Sequence, residues 1–390
     1  MVIKPKIRGF ICTTAHPLGC AENVKIQVEY AKANPIKGAP KRVLVIGSST
    51  GYGLACRIAA AFCCEADTIG VFFEREASSN RTATAGWYNN REFERLAKDS
   101  GRIAESINGD AFADDVKQET IRLIKGKLPG GKVDLIIYSL AAPKRRDPVT
   151  GGVYSSVIKP IGDAYKSKTV DFHTGIIHDV TIEPAAQDEI AGTVKVMGGE
   201  DWLLWIKAMT SAGVIEQNAV TAAFSYIGPS LTFPVYKNGT IGTAKEDLEE
   251  KAKQITSLLS TQGGKAFVAV NKALVTQASS AIPVVPLYIS ILYKLMKKNG
   301  THEDCIRQMA RMFKDRLYAG EIPVDEAGRI RMDDWEMQPA LQEEVGRIWG
   351  EVTNETVGEL TDIDGYRDDF MRLFGFGFPD IDYDADVKII

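Results

Sequence analysis

Two side chains near the middle of the chain have the types and spacing for chemistry at a carbonyl. Tyr236 and Lys245 lie nine positions apart in Tyr236-Lys237-Asn238-Gly239-Thr240-Ile241-Gly242-Thr243-Ala244-Lys245, and a second tyrosine, Tyr226, ends the apolar run ahead of them. A phenol can donate a hydrogen bond to an oxygen on which negative charge develops, and an ammonium group can hold a cofactor ribose and favour that donation. Together they suit nicotinamide-dependent reduction. One continuous helix cannot bring them together, because nine steps of about 100° place them on opposite faces. They converge if Tyr236 precedes the helix. Asn238-Gly239 supplies the break, and Thr240 or Thr243 is expected to cap a helix that carries Lys245 near its first turns.

The hydride donor needs a site of its own. Gly47-Ser48-Ser49-Thr50-Gly51-Tyr52-Gly53 stands between a short apolar run, 42–46, and a stretch of helical composition, 54–62. A second apolar run, 68–73, ends at Glu74, 21 positions beyond Gly53. Glycine permits positive φ and close approach of backbone to phosphate, and a helix N-terminus directs N–H groups and partial positive charge at a pyrophosphate. Strand, glycine turn, helix, second strand and acid in that order predict dinucleotide binding. A carboxylate at Glu74 can accept both ribose hydroxyls of an adenosine and repels a 2′-phosphate, which favours NADH. Arg57 and Arg75 oppose that preference, because guanidinium groups welcome phosphate.

Further strands are expected at 102–107, 133–138, 219–226 and 265–270, with a helix over 116–127. Alternation of this kind predicts an α/β fold, a Rossmann-type doubly wound parallel sheet with helices on both faces. Asp110 follows the third strand, placed either to meet an adenine amino group or to cap the next helix. Leu140-Ala141 follows the fourth, where small and apolar residues let a ribose approach. The pattern breaks over 144–217, too long for a simple crossover. Runs 169–172 and 176–182 predict a β-hairpin there, and two helices are expected near 185–196 and 201–212. We read 144–217 as an insertion beside the active site. His173 and His178, in or near the hairpin turn, read as structural or exposed. Thr301 to Asp304 fits a capping box for a helix through about residue 317, and 300–390 reads as a C-terminal extension packed on the core. No internal repeat or low-complexity linker divides the chain, so a single enlarged domain is expected.

Composition narrows the function classes. The 390 residues are 45% hydrophobic and 25% charged with a formal net charge of −4, ordinary for a soluble globular protein and without the basic field that recruits nucleic acid. Lys144-Arg145-Arg146 is a local basic cluster, either a solvated loop or a docking patch for an acidic carrier. The six cysteines form no paired motif and read as reduced, mostly buried thiols. His16 and Cys20 lack partners for a zinc set, so no metal is expected. The most apolar segment, 282–296, contains two prolines and a lysine and is too short to span a bilayer. With no signal peptide at the start, a cytoplasmic protein is expected.

Many short-chain dehydrogenases carry Tyr-x-x-x-Lys on one helix face after the fifth strand. The match here, Tyr293 and Lys297, falls after the sixth, inside the apolar segment, and reads as a coincidence of a packed helix. The chemistry expected of the Tyr236–Lys245 pair, as a hypothesis, is reduction of a trans-2-enoyl thioester by NADH. Hydride goes to the β-carbon, and Tyr236 donates to the enolate oxygen that forms. Tyr226 offers a second hydroxyl or is an ordinary aromatic at a strand end.

At these residues the sequence resembles the FabV-type enoyl reductases and the closely similar trans-2-enoyl-CoA reductases. The resemblance spans nearly the whole chain. It is carried by Ala15-His16-Pro17-Leu18-Gly19-Cys20, the 47–53 glycine turn, Ala85-Gly86-Trp87-Tyr88-Asn89, Val196-Met197-Gly198-Gly199-Glu200-Asp201-Trp202, Ser225-Tyr226-Ile227-Gly228 and the Tyr236–Lys245 pair. It implies an NADH-dependent, monomeric enoyl-thioester reductase of fatty acid synthesis on an enlarged short-chain-dehydrogenase-like fold, acting on acyl-carrier-protein or CoA thioesters. It implies Tyr236 and Lys245 as catalytic residues and Tyr226 as a substrate contact. The implied cofactor contacts are Gly47, Ser48, Ser49, Thr50, Gly51, Tyr52, Phe73, Glu74, Asp110, Ala111, Leu140, Ala141, Lys245, Leu274, Val275 and Thr276. It also makes 282–296 a candidate wall for the acyl chain, with a core helix as the equal alternative. A carbonyl reductase and a non-catalytic dinucleotide sensor are the competing readings.

Overall fold

The computed structural model describes residues 1–389. Its centre is a sheet of seven parallel strands: β1 (Arg42–Ile46), β2 (Asp67–Phe72), β3 (Ala104–Asn108), β4 (Val133–Tyr138), β5 (Ile215–Ser225), β6 (Lys265–Val270) and β7 (Ile330–Arg331). They lie in the order β3-β2-β1-β4-β5-β6-β7. Six strands fall where the sequence placed them, within a few residues at each end. The seventh is two residues long and carries no period of its own.

Alternation along β1 shows how the sheet separates two cores. Val43 and Val45 join a cluster with α2 (Gly51–Ile58) and α9 (Cys305–Met312). Leu44 and Ile46 face α4 (Asp114–Lys127), α6 (Glu200–Ser211) and α7 (Thr240–Leu259). A period-two strand buried on both faces has to be apolar throughout, and four of the five β1 residues are fully buried. Two further helices, α1 (Pro17–Ala33) and α3 (Ala85–Asp99), add Val24, Val28, Phe93 and Ala97 to the first core.

The region after β4 contains more than an added lobe. Residues 165–171 and 176–182 pair as the expected antiparallel hairpin, and a smaller hairpin joins 144–146 to 153–155. Helix α5 (Gln187–Met197) follows. Residues 200–211, read from sequence as part of the insertion, form α6, the crossover helix on the sheet face. Its Trp202 and Trp205 are fully buried there. Of the basic cluster 144–146, only Lys144 and Arg146 point outward; Arg145 is buried against Glu200 at 2.9 Å.

A third core lies at one end of the molecule. Helix α8 (Val285–Lys298) buries eleven residues, nine of them in this core. Around α8 pack α10 (Pro339–Glu351) and α11 (Ile363–Arg372) of the C-terminal extension, with Val170 and Phe172 of the long hairpin. Tyr293 of α8 is buried with its hydroxyl accepting the Val275 N–H at 3.0 Å, while Lys297 pairs with Asp362 at 2.6 Å. The expected capping box before α9 is replaced by a simpler cap. Asp304 is itself the N-cap, and its side chain accepts the Arg307 N–H at 2.9 Å.

All six cysteines are free, five of them buried. Among the described residues no helix is long and apolar enough to cross a membrane, and no group of three His, Cys, Asp or Glu side chains is arranged to hold a metal ion.

Candidate active site

Every candidate site residue follows the carboxyl end of a strand, apart from Tyr236 and Lys245, which the β5–α7 connection brings to the same edge. In an open parallel sheet that edge is where ligands bind, at the point where strand order reverses. The reversal here falls between β1 and β4.

The β1–α2 turn is built from backbone. Gly47 has φ +86° and Gly51 φ +52°, both in the left-handed region, where a side chain is strained. A Cβ on Gly53 would lie 1.8 Å from the Gly47 carbonyl oxygen, and one on Gly47 would lie 2.1 Å from the Ser139 carbonyl oxygen. Only glycine fits either place. Thr50 is the N-cap of α2 but makes no side-chain cap, so the first N–H groups of the helix stay available to an anion. Thr276 stands across the turn, its methyl 3.7 Å from where a Gly51 Cβ would be, and Leu140 lies over Gly47 in the same way at 3.1 Å.

Glu74 is held at the adenosine end. Its Oε1 accepts the Ser49 hydroxyl at 2.7 Å, and its backbone is clamped by Asn108 through two hydrogen bonds of 2.9 Å. Phe73 beside it is 76% exposed and takes no part in the core. Arg57, which the sequence left as a rival for phosphate, is interior. Its guanidinium donates to Asn90, Ser106 and the Glu105 carbonyl at 2.6–2.7 Å. Arg75 remains exposed, and its guanidinium reaches the Thr82 carbonyl at 3.5 Å. Asp110 uses one oxygen on the Phe112 N–H at 3.0 Å in the turn before α4; the helix N-cap is Ala113. Tyr52 turns its ring inward, edge-on to Phe224 at 5.8 Å, with its hydroxyl on the Lys272 carbonyl. Ser48 and Ala111 are buried, and Leu274 and Val275 belong to the third core.

Sequence reasoning missed Asn89, on α3. Its Nδ2 donates to the Ser49 carbonyl at 3.2 Å while its buried Oδ1 has no protein partner. An orphaned acceptor and a turn that any Cβ would fill are what a dinucleotide site requires, and these residues fit NADH.

Tyr236 precedes α7, as its offset from Lys245 demands. The helix starts at Gly239 without a side-chain cap, so neither Thr240 nor Thr243 caps it. The Tyr236 carbonyl does that work instead, accepting the Gly239 N–H at 3.1 Å and the Gly242 N–H at 2.9 Å. The approach is close enough that a Gly242 Cβ would lie 1.8 Å from the Lys237 carbonyl oxygen. Thr240 ties the helix start to the insertion. Its hydroxyl donates to the Val157 carbonyl at 2.6 Å and its N–H to the Lys159 carbonyl at 3.0 Å. Tyr165 of the long hairpin donates to the Leu231 carbonyl at 2.8 Å, steadying the loop that carries Tyr236.

Lys245 lies in the second turn of α7, with Nζ donating to the Phe224 carbonyl at 3.0 Å. Two residues on, Tyr226 stands edge-on to Tyr236 with ring centroids 4.9 Å apart at 81°. Lys245 is thus tied to the strand that leads into Tyr226, and Tyr226 packs on Tyr236. Burial pulls the Lys245 ammonium down to about 8 and pushes the Tyr236 phenol up. Such a phenol keeps its proton at neutral pH and has it to donate in a hydrogen bond.

The chain matches three family models in succession. Residues 2–79 match the NAD(P)H binding domain of trans-2-enoyl-CoA reductase, 81–318 the trans-2-enoyl-CoA reductase catalytic region, and 324–387 a segment described as an enoyl reductase FAD binding domain. It is 58% identical to a trans-2-enoyl-CoA reductase [NADH] of Ruminiclostridium cellulolyticum over 100% of this chain and 98% of the relative. It is equally identical to an enoyl-[acyl-carrier-protein] reductase [NADH] of Flavobacterium psychrophilum over the same shares. Among solved structures, Treponema denticola trans-2-enoyl-CoA reductase in complex with NAD superposes with a TM-score of 0.96 at 48% identity, covering 99% of this chain and 98% of that one. The Clostridium acetobutulicum enzyme in complex with NADH also gives 0.96, at 45% identity, covering 100% and 98%. The 324–387 segment does not fit a flavin: it has no glycine turn between strand and helix, and Tyr366, Phe370, Phe374 and Phe376 are spent on the third core. By sequence over its full length and by fold, the chain belongs to the family of trans-2-enoyl-CoA reductases and their enoyl-[acyl-carrier-protein] reductase relatives.

Proposed function

We infer that the protein reduces the carbon–carbon double bond of trans-2-enoyl thioesters with NADH. The observation that carries this reading is the packed Tyr226–Tyr236 pair beside the strand end that Lys245 grips, at the sheet edge that also holds the glycine turn and Glu74. The Tyr236 ring is half-buried at that edge, with its backbone fixed by α7.

NADH, when bound, supplies the hydride. The glycine turn and the start of α2 would hold its pyrophosphate, Glu74 its adenosine ribose, Phe73, Asp110 and Ala111 its adenine end, and Leu140, Ala141 and Leu274–Thr276 its nicotinamide end. Tyr236 donates its phenolic proton in a hydrogen bond to the thioester oxygen, where charge accumulates as the β-carbon is reduced. Lys245 holds the nicotinamide ribose, and its positive charge favours donation by the tyrosine. Tyr226 contacts the substrate from the other side of Tyr236. The α8 segment lines the acyl side, with Tyr288 reaching toward Tyr226. The chain works as one domain and as a monomer in the cytoplasm, within fatty acid synthesis; the resemblance of the whole sequence supports that setting.

The direct test follows NADH oxidation by absorbance with crotonyl-CoA and with longer enoyl thioesters. Turnover is expected, and none with any of them would sink the reading in favour of a dinucleotide sensor. A carbonyl reductase is disfavoured because the Tyr-x-x-x-Lys pair is absent after β5 and the match at Tyr293 and Lys297 is engaged elsewhere. Relatives of equal identity are named for different carriers, so kcat/KM for matched acyl-carrier-protein and CoA substrates tests carrier choice.

A further inference from the structure

One carboxyl group at the site comes from the C-terminal extension. Glu336, between β7 and α10, is fully buried. Its Oε1 accepts the hydroxyls of Tyr226 at 2.8 Å and Tyr288 at 2.6 Å, and its Oε2 accepts the Ala273 N–H at 2.7 Å. Gln342 on α10 donates to the Tyr288 oxygen at 3.1 Å and to the Glu336 carbonyl at 2.7 Å. Resting on the reading of Tyr226 as a substrate contact, we propose that Glu336 is the positioning residue of Tyr226. It holds the phenol against Tyr236 and decides whether Tyr226 offers the substrate a proton or a lone pair.

The protons at this cluster can be counted. A phenol has one to give. With Glu336 ionised, the Tyr226 proton is committed to Oε1, and Tyr226 presents only acceptor lone pairs to the site. The thioester oxygen then has Tyr236 as its sole phenolic donor. With Glu336 neutral, its own O–H donates to the Tyr226 oxygen, and the Tyr226 proton is released toward the thioester. The neutral pair carries one proton more than the ionised pair, exchanged with solvent, and its arrival reverses the hydrogen bond between them. Tyr288 is the more firmly held of the two phenols, because Gln342 also donates to its oxygen.

Burial is the largest influence on Glu336 and raises it, toward the neutral form, while the hydrogen bonds from Tyr288, Ala273 and Tyr226 and the Lys272 charge pull the other way. The titratable groups facing it are Tyr226 after β5, Tyr288 on α8 and Lys272 after β6, with Tyr236 beyond Tyr226. Lys272 is buried too, but its Nζ donates to the Ala273 carbonyl at 3.3 Å and makes no ion pair with Glu336. Glu303 and Arg311, at α9, act on Lys272 in opposite directions.

The test is a double-mutant cycle in the full chain, assayed with crotonyl-CoA and NADH. Glu336→Gln keeps the shape but replaces the exchangeable carboxyl proton with an amide. It is expected to lower kcat about tenfold, to leave KM for NADH within about twofold, and to cost less than about twofold in a Tyr226→Phe background. An equal loss in both backgrounds, or a parallel rise in KM for NADH, would show a general structural role and overturn the proposal. If Glu336→Gln does not fold, Tyr288→Phe keeps the ring, removes one donor to Oε1 and goes through the same cycle, where non-additivity with Tyr226→Phe supports the proposal and an equal loss in both backgrounds overturns it. A Tyr226→Phe protein as active as its parent would sink the reading of Tyr226 itself, an outcome distinct from additivity.

Discussion

The cofactor cradle and the tyrosine–lysine cluster share one edge of one sheet but are made in opposite ways. The cradle is backbone: Gly47, Gly51 and Gly53 work by what they lack, and seven consecutive residues contain most of it. The cluster is side chains, and each is set by a different part of the chain. Lys245 is fixed by Phe224, Tyr236 by the start of α7, that start by the insertion at Val157 and Lys159, and Tyr226 by Glu336. A site built from local backbone is damaged by adding atoms. A site built from distant side chains is damaged by removing them.

The strongest way to break this contrast is at Tyr236. Tyr236→Phe removes one oxygen and should cut kcat by about 10²–10³, the cost of losing one preorganised donor, while NADH affinity measured by fluorescence titration stays near the parent value. A variant with near-normal kcat would end the catalytic assignment. In the cradle the matching experiment adds a methyl group. Gly53→Ala forces a Cβ into a carbonyl oxygen 1.8 Å away. It should weaken NADH binding at least roughly tenfold and lower unfolding stability by about 1–3 kcal/mol, seen in titration and in urea denaturation together. Unchanged values in both would mean that the turn adapts.

A smaller effect is expected at the adenosine end. Glu74→Gln keeps the hydrogen bond to Ser49 but removes the charge, so the ratio of kcat/KM for NADH over NADPH should fall several-fold. With Arg57 committed to the interior, only Arg75 is left to greet a phosphate, and a ratio that did not move would shift the discrimination away from Glu74. The smallest effect sharpens the cluster's side of the comparison through pH. Lys245 loses its charge near pH 8 because burial disfavours it. Below that pH kcat/KM should be flat, and it should fall by about half at pH 8 and further above. Stability runs the other way. The folded value lies below the ordinary 10.5, so between about pH 8 and 10.5 the unfolded chain holds more protons and stability from this group rises with pH. A loss of rate that tracked loss of fold over that range would contradict the assignment.

The same contrast explains what could be read in advance. Strands β1, β2, β4 and β6 are apolar runs closed by glycine or polar residues, and the glycine turn is contiguous, so sheet and cradle were legible from spacing alone. The offset of Tyr236 from Lys245 demanded a break before the helix, and the break is there. Its capping was not legible, because the acceptor is the carbonyl of Tyr236 and a carbonyl has no letter in a sequence. Glu336 was missed for a related reason. It sits in Met332-Asp333-Asp334-Trp335-Glu336-Met337, a run with no motif to single it out, and its partners are 110 and 48 positions away. The two-residue strand β7 and the interior place of Arg57 likewise depend on contacts that no local pattern records.

The carbonyl of Tyr236 has one more consequence. Because it closes the first turn of α7, Tyr236 and the helix that bears Lys245 are joined through two main-chain bonds. Nothing can pass between them without fraying that turn. The distance from phenol to ammonium is thus set by the main chain before any ligand arrives.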